Sequence, residues 1–184
     1  MAFILITLAL WVLVTLYWIV SSRRMPANHR GNEVMSFVKL VGSSLLMYVP
    51  VLTGGILATT LFDTSLVTEI IGTLICLAGI LVMVWAREHL GRNWSGNVII
   101  QQEHSLIKDG PYQFVRHPIY SGGLFAMLGS AIVLGQVFAF AWVLFCAFGL
   151  IMKSKQEEVL LSNQFPKEYL EYKKRVKMLV PGVF

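Results

Sequence analysis

The stretch PIYSGGLFAMLGSAIVLGQVFAFAWVLFCAFGLIM, Pro118 to Met152, contains no Asp, Glu, Lys or Arg. One helix crosses a hydrocarbon core with about 20 residues, so this block is too long for a single crossing. Its midpoint, Gly135-Gln136, carries a turn signal. The block therefore reads as a hairpin of two short helices, about Tyr120 to Leu134 and Val137 to Met152. Three further apolar blocks precede it, Ala2 to Val20, Phe37 to Phe62 and Leu66 to Ala86, each long enough to cross once. With 56% hydrophobic and 14% charged residues and a mean hydropathy of +0.68, the chain is far too apolar for a soluble domain, in which about 25% of residues are charged. The expected fold is an all-α integral membrane protein of about five transmembrane helices, the last two forming the hairpin, followed by a cytoplasmic C-terminal helical tail.

The basic residues orient this bundle. All 15 Lys and Arg fall in the segments 21–39, 87–117 and 153–177, and five crossings bring all three segments to one side. That side is expected to be cytoplasmic, with the N-terminus outside. The first apolar block lacks a basic leading region and a small-x-small cleavage site, so it is read as a retained helix and not a signal peptide. The positive-inside pattern accounts for a pI near 9.4 without a nucleic-acid partner; anionic headgroups are the extra attraction it allows. Cys76 and Cys146 have neither disulfide context nor metal spacing and read as packing residues. No metal is expected.

Chemistry-bearing residues concentrate on the cytoplasmic side. The run His104 to Gly122 holds two His, Arg116, two Tyr, Gly110-Pro111 and Pro118 immediately before the hairpin. Polar groups at a membrane boundary are costly without partners, which marks a ligand site. The chain contains no GxGxxG, P-loop, GxSxG, CxxC or HExxH pattern, so a nucleotide-like cofactor would need a different kind of site. After Phe165-Pro166 a tail helix is expected with Tyr169, Tyr172 and Val176 on one face. The chain divides into residues 1–86, three transmembrane helices, and residues 87–184, a catalytic and cofactor-binding region comprising the hairpin 118–152 and the tail.

Taken together, His104 to Gly122, Glu157-Glu158 and the run Phe165 to Val176 resemble the isoprenylcysteine carboxyl methyltransferase family and its phospholipid-methyltransferase relatives. The resemblance covers about Leu90 to Pro181. It implies a membrane-embedded S-adenosylmethionine-dependent methyltransferase acting on a lipophilic acceptor, in the inner membrane or the endoplasmic reticulum membrane, with its site facing the cytoplasm. Carried over residue by residue, the cofactor positions fall on Gln101, His104, Ser105, Leu106, Ile107, Tyr112, His117, Pro118, Ile119, Tyr120 and Glu157. Arg116 and Lys153 are the catalytic candidates. Lys153 stands where the family has a substrate-facing arginine, and an ammonium cannot form arginine's planar two-pronged clamp on a carboxylate. Methyl transfer to a carboxylate needs no general base, so such a site must grip and position.

Plainer readings accompany each assignment. Arg116-His117-Pro118 also suits the start of a helix. Glu157 and Glu158 suit solvated helix residues paired with Lys153 or Lys155. Tyr169 and Tyr172 suit packing, Lys173-Lys174-Arg175 a headgroup-facing patch, and His29 and His89 structural positions. Two rival functions are an NADPH-dependent membrane reductase of the sterol-reductase type, which shares a His-Pro-x-Tyr pattern, and a non-enzymatic adaptor. The reductase would be expected to have more crossings and a second basic cluster. An adaptor has no use for so many polar groups at one boundary. The residues leave the acceptor and the oligomeric state open.

Overall fold

The computed structural model describes residues 1–23, 27–91 and 106–183, with the backbone alone for 27–34 and 36. Among the described residues the fold is helical, with two isolated β-bridges and no strand. The helices are α1 (Ala2–Ser22), α2 (Ala27–Leu46), α3 (Val49–Thr53), α4 (Leu66–Leu90), α5 (Pro118–Leu134), α6 (Val137–Gln164) and α7 (Glu168–Arg175). Three of them, α1, α4 and α6, are long and apolar enough to cross a membrane; Phe37–Leu46 and Pro118–Leu134 are shorter apolar helices. Apolar side chains such as Leu13, Leu74, Leu81, Leu144 and Phe148 stand exposed on the outside of the bundle, where lipid rather than water is their natural surrounding. This is a multi-pass membrane architecture.

Local chemistry sets the helix ends. At the start of α4 the Ser65 hydroxyl accepts from the Thr68 amide at 3.3 Å while the Thr68 hydroxyl accepts from the Ser65 amide at 2.8 Å, a reciprocal cap that satisfies two orphan donors. Pro118 opens α5, where its missing N–H costs nothing. Gly135 ends α5 with φ +62°, and its carbonyl accepts from Leu61 at 2.7 Å. The hairpin expected at Gly135-Gln136 is therefore present, and it is stitched to the connection before α4.

The second apolar block is not one continuous helix. It is helical to Leu46, re-forms as the short α3, and turns away at Gly54 and Gly55, both at positive φ. Pro50, in the first turn of α3, cannot donate a helix hydrogen bond, and the two glycines supply the left-handed backbone that ends the run.

The core is built on α4 and α5, which make the most extensive contact among the described residues. Gly72, Cys76, Gly79 and Met83 on α4 meet Gly122, Ala126, Gly129 and Val133 on α5. A Cβ on Gly79 would lie 2.4 Å from the Ala126 amide nitrogen, and one on Gly129 2.3 Å from that of Cys76. Backbones thus touch along two helical turns, the close approach that dispersion needs where lipid removes the hydrophobic drive. α1 joins through Thr7, Trp11, Val14 and Trp18, all buried. The Trp11 indole donates to Ser130 at 3.1 Å, tying α1 to α5. This rigid pair fixes where α5 begins.

Candidate active site at the mouth of the hairpin

The start of α5, the polar end of α6 and the tail α7 converge at one end of the bundle. α6 runs on past Met152 as an unbroken helix to Gln164, so Lys153, Ser154, Glu157 and Glu158 stand beside the first turn of α5. Successive helical residues are about 100° apart, and the two adjacent glutamates consequently meet different partners.

Glu157 faces the partly exposed side. Tyr120 donates its hydroxyl to Glu157 Oε1 at 2.6 Å, His117 Nδ1 lies 3.4 Å from Oε2, and Lys153 Nζ is 3.8 Å from Oε1. The His117 and Tyr120 rings stack at 5.7 Å between centroids. The Lys153 ammonium sits 5.4 Å from the centre of the Tyr120 ring, within cation–π range. The Glu157 side chain keeps 22% of its surface and that of Lys153 38%, so both remain accessible to a ligand.

Glu158 points inward and is 2% exposed. Arg116 Nε donates to its Oε1 at 2.7 Å, Arg116 Nη2 lies 2.6 Å from the same oxygen, and Lys173 Nζ is 2.7 Å from Oε2. The expectation of a solvated Glu158 paired with Lys153 or Lys155 is corrected here: α6 turns this position toward α7, away from both lysines. Lys173 likewise leaves the headgroup-facing patch to bind Glu158. Arg116 Nη1 reaches the carbonyls of Lys173 and Val176. His117 Nε2 approaches Glu158 Oε1 at 3.5 Å, so one imidazole touches both carboxylates. Burial disfavours the His117 cation, yet its contacts with Glu157 and Glu158 outweigh this and raise its pKa. Its charged form then adds stability that is complete below the ordinary imidazole value of about 6.5 and fades as pH rises through the raised pKa.

The tail is docked by backbone as well. Val115 and Lys177 form a parallel bridge, and the amides of Arg116 and His117 donate to the carbonyls of Lys177 and Met178 at 2.8 and 3.1 Å. Ser121 donates to the Leu179 carbonyl at 2.6 Å, and the Tyr172 hydroxyl to the Tyr112 carbonyl at 2.5 Å. Tyr169 and Tyr172 are buried, and burial pushes the pKa of each hydroxyl up. His89 pairs with Asp109 at 3.0 Å, and a Cβ at Gly110 (φ +56°) would meet its ring at 2.6 Å, which fixes the turn before Tyr112.

Of the candidates read from sequence, Arg116, His117, Tyr120, Lys153 and Glu157 come together here. Tyr112 is buried nearby, Leu106 and Ile107 are half-buried, and Pro118 and Ile119 are buried in the first turn of α5. Gln101, His104 and Ser105 lie outside the described residues. Sequence reading missed Glu158 and Lys173 as an ion pair spanning α6 and α7. The adjacency Glu157-Glu158 was the available signal, since neighbouring carboxylates on one helix cannot share a face.

Residues 70–163, just over half of the 184, match the family described as "Isoprenylcysteine carboxyl methyltransferase (ICMT) family". The chain is similar to the protein-S-isoprenylcysteine O-methyltransferase B of Arabidopsis thaliana, 36% identical over 98 residues, covering 50% of this chain and 49% of that protein. It is 33% identical to the protein-S-isoprenylcysteine O-methyltransferase of Mus musculus over 97 residues, 47% of this chain and 32% of that protein. The Saccharomyces cerevisiae protein of the same name is 28% identical over 129 residues, 67% of this chain and 54% of that protein. The matches span about half or less of these relatives' length, and residues 70–163, matched by the family, contain the start of α5, the hairpin and the glutamate pair that build the site. On the family match, which runs through α4, α5 and α6, the chain belongs to the isoprenylcysteine carboxyl methyltransferase family.

Proposed function

We propose that this chain is an S-adenosylmethionine-dependent methyltransferase acting on the carboxylate of a lipophilic, prenylcysteine-like acceptor. The observation that carries the reading is the Glu157 cluster: a partly exposed carboxylate, an ammonium and two stacked rings at the membrane-proximal mouth of the α5–α6 hairpin. Family membership supports the methyl-transfer chemistry, and the relatives' printed names support the acceptor class.

The side chains suit this cofactor by charge and shape. S-adenosylmethionine supplies, when bound, a methyl group on a sulfonium for in-line displacement by an acceptor oxygen. Glu157 can accept from the cofactor's ammonium or ribose hydroxyls, and Tyr120 and His117 offer flat faces with polar edges. Gln101, His104, Ser105, Leu106, Ile107, Tyr112, Pro118 and Ile119 complete the proposed cofactor set, the first three on the resemblance alone. Lys153, half-buried and only loosely held by Glu157 at 3.8 Å, is the proposed contact for the acceptor carboxylate. Arg116, whose guanidinium is held by Glu158 and the tail carbonyls, acts as a positioning residue in this reading. A carboxylate acceptor loses no proton, so positioning and the exclusion of water carry the catalysis.

The proposed arrangement has five crossings with the site on the cytoplasmic side; residues 1–86 form the scaffold and residues 87–184 the catalytic region. Cysteines introduced at Ser65 and Ser162 are expected to label from opposite sides of sealed vesicles. Labelling from the same side contradicts this topology.

The function itself is tested by transfer of a labelled methyl group to a prenylated cysteine with a free carboxylate. Lys153→Met is expected to lower that transfer about tenfold or more while donor affinity stays nearly constant, because the lost contact is with the acceptor. Transfer by the parent chain to no carboxylate acceptor would refute the proposal.

A further inference from the structure

We infer that Lys173, in α7, is a positioning residue for the methyl-donor site: through Glu158 and His117 it holds the Glu157 carboxylate in place. This rests on the proposed role of Glu157 in donor binding. It concerns a residue beyond positions 70–163, the part matched by the family.

The connection is a chain of charged groups. Lys173 Nζ meets Glu158 Oε2 at 2.7 Å, His117 Nε2 lies 3.5 Å from Glu158 Oε1, and His117 Nδ1 lies 3.4 Å from Glu157 Oε2. Glu158 is buried, so its negative charge must be satisfied by its neighbours. With Lys173 in place, Lys173 and Arg116 share that task, and His117 is left to divide its interaction between the two glutamates. Without the Lys173 ammonium, Glu158 draws more strongly on the imidazole and loosens it from Glu157.

Lys173 is not needed merely to dock the tail. The Val115–Lys177 bridge, the Arg116 and His117 amides, Ser121 on Leu179 and Tyr172 on Tyr112 hold that segment independently. Its side chain is also 47% exposed, so shortening or neutralising it opens no cavity. The neighbouring Lys174 is exposed and serves as an internal control for a general effect of tail charge.

The test measures binding of S-adenosylhomocysteine to the purified full chain by calorimetry. Lys173→Met is expected to weaken binding about tenfold, the size of one weakened charge-assisted hydrogen bond. Lys173→Arg is expected to restore affinity, and Lys174→Met to leave it unchanged. In a Glu157→Gln background, Lys173→Met is expected to add little, because the path to the ligand is already cut. Wild-type affinity in Lys173→Met, an equal loss in Lys174→Met, or full additivity with Glu157→Gln each overturns the inference while leaving the donor site intact. No binding by the wild type removes the donor-site reading itself and this inference with it.

Discussion

Gly129→Leu is expected to prevent the protein from reaching its native helix packing. A Cβ there would lie 2.3 Å from the Cys76 amide nitrogen and 2.5 Å from the Gly72 carbonyl. Both are backbone atoms of α4 and cannot swing aside as a side-chain tip can. The two helices would have to separate, undoing the close contact along Gly72, Gly79, Gly122 and Gly129. Overpacking a well-formed core costs about 1–3 kcal/mol, more where backbone must move, so a loss of at least about 3 kcal/mol is expected. Gly149→Leu is the matched control. Its Cβ position is open, with nothing within 4 Å, and replacing a helical glycine is neutral or mildly favourable there. Thermal unfolding in detergent, followed by tryptophan fluorescence, distinguishes the two variants. Equal stability of the pair would contradict the packing described.

Arg116→Met is expected to be nearly as damaging, for an electrostatic reason. It leaves the buried Glu158 carboxylate with Lys173 as its main remaining cation and strips a donor from the carbonyls of Lys173 and Val176. Breaking a buried pair on one side costs about 3–5 kcal/mol, whereas replacing both partners by apolar groups is often close to neutral. Arg116→Met combined with Glu158→Leu is therefore expected to be more stable than Arg116→Met alone. Denaturation of the single and double variants measures this coupling. Additive losses would mean that the ion pair is not the source of the effect.

The membrane architecture was legible because lipid imposes simple requirements. A charge-free run from Pro118 to Met152 with Gly135-Gln136 at its centre can hardly be anything but a hairpin, and it is one. The break in the second block was less visible, since Pro50 and Gly54-Gly55 sit within an apolar run whose length alone suggested a span. The site was partly legible for a similar reason. His117 and Tyr120 sit at the start of α5, whose register follows from Pro118, and Lys153 and Glu157 share one face of α6 at i, i+4 spacing. The pairing of Arg116 with Glu158, 42 positions apart, and of Glu158 with Lys173 depends on where α7 docks. That docking is set by tertiary hydrogen bonds such as Ser121 to Leu179, which no local pattern encodes. Lys173 consequently looked like one more headgroup-facing cation, and Glu158 like a solvated carboxylate.

Calorimetric titration of the purified chain with S-adenosylhomocysteine, and separately with NADPH, tests the central claim most directly. A methyl-donor site around Glu157 requires saturable one-to-one binding of S-adenosylhomocysteine and none of NADPH. Saturable binding of NADPH, with no response to S-adenosylhomocysteine, would contradict it.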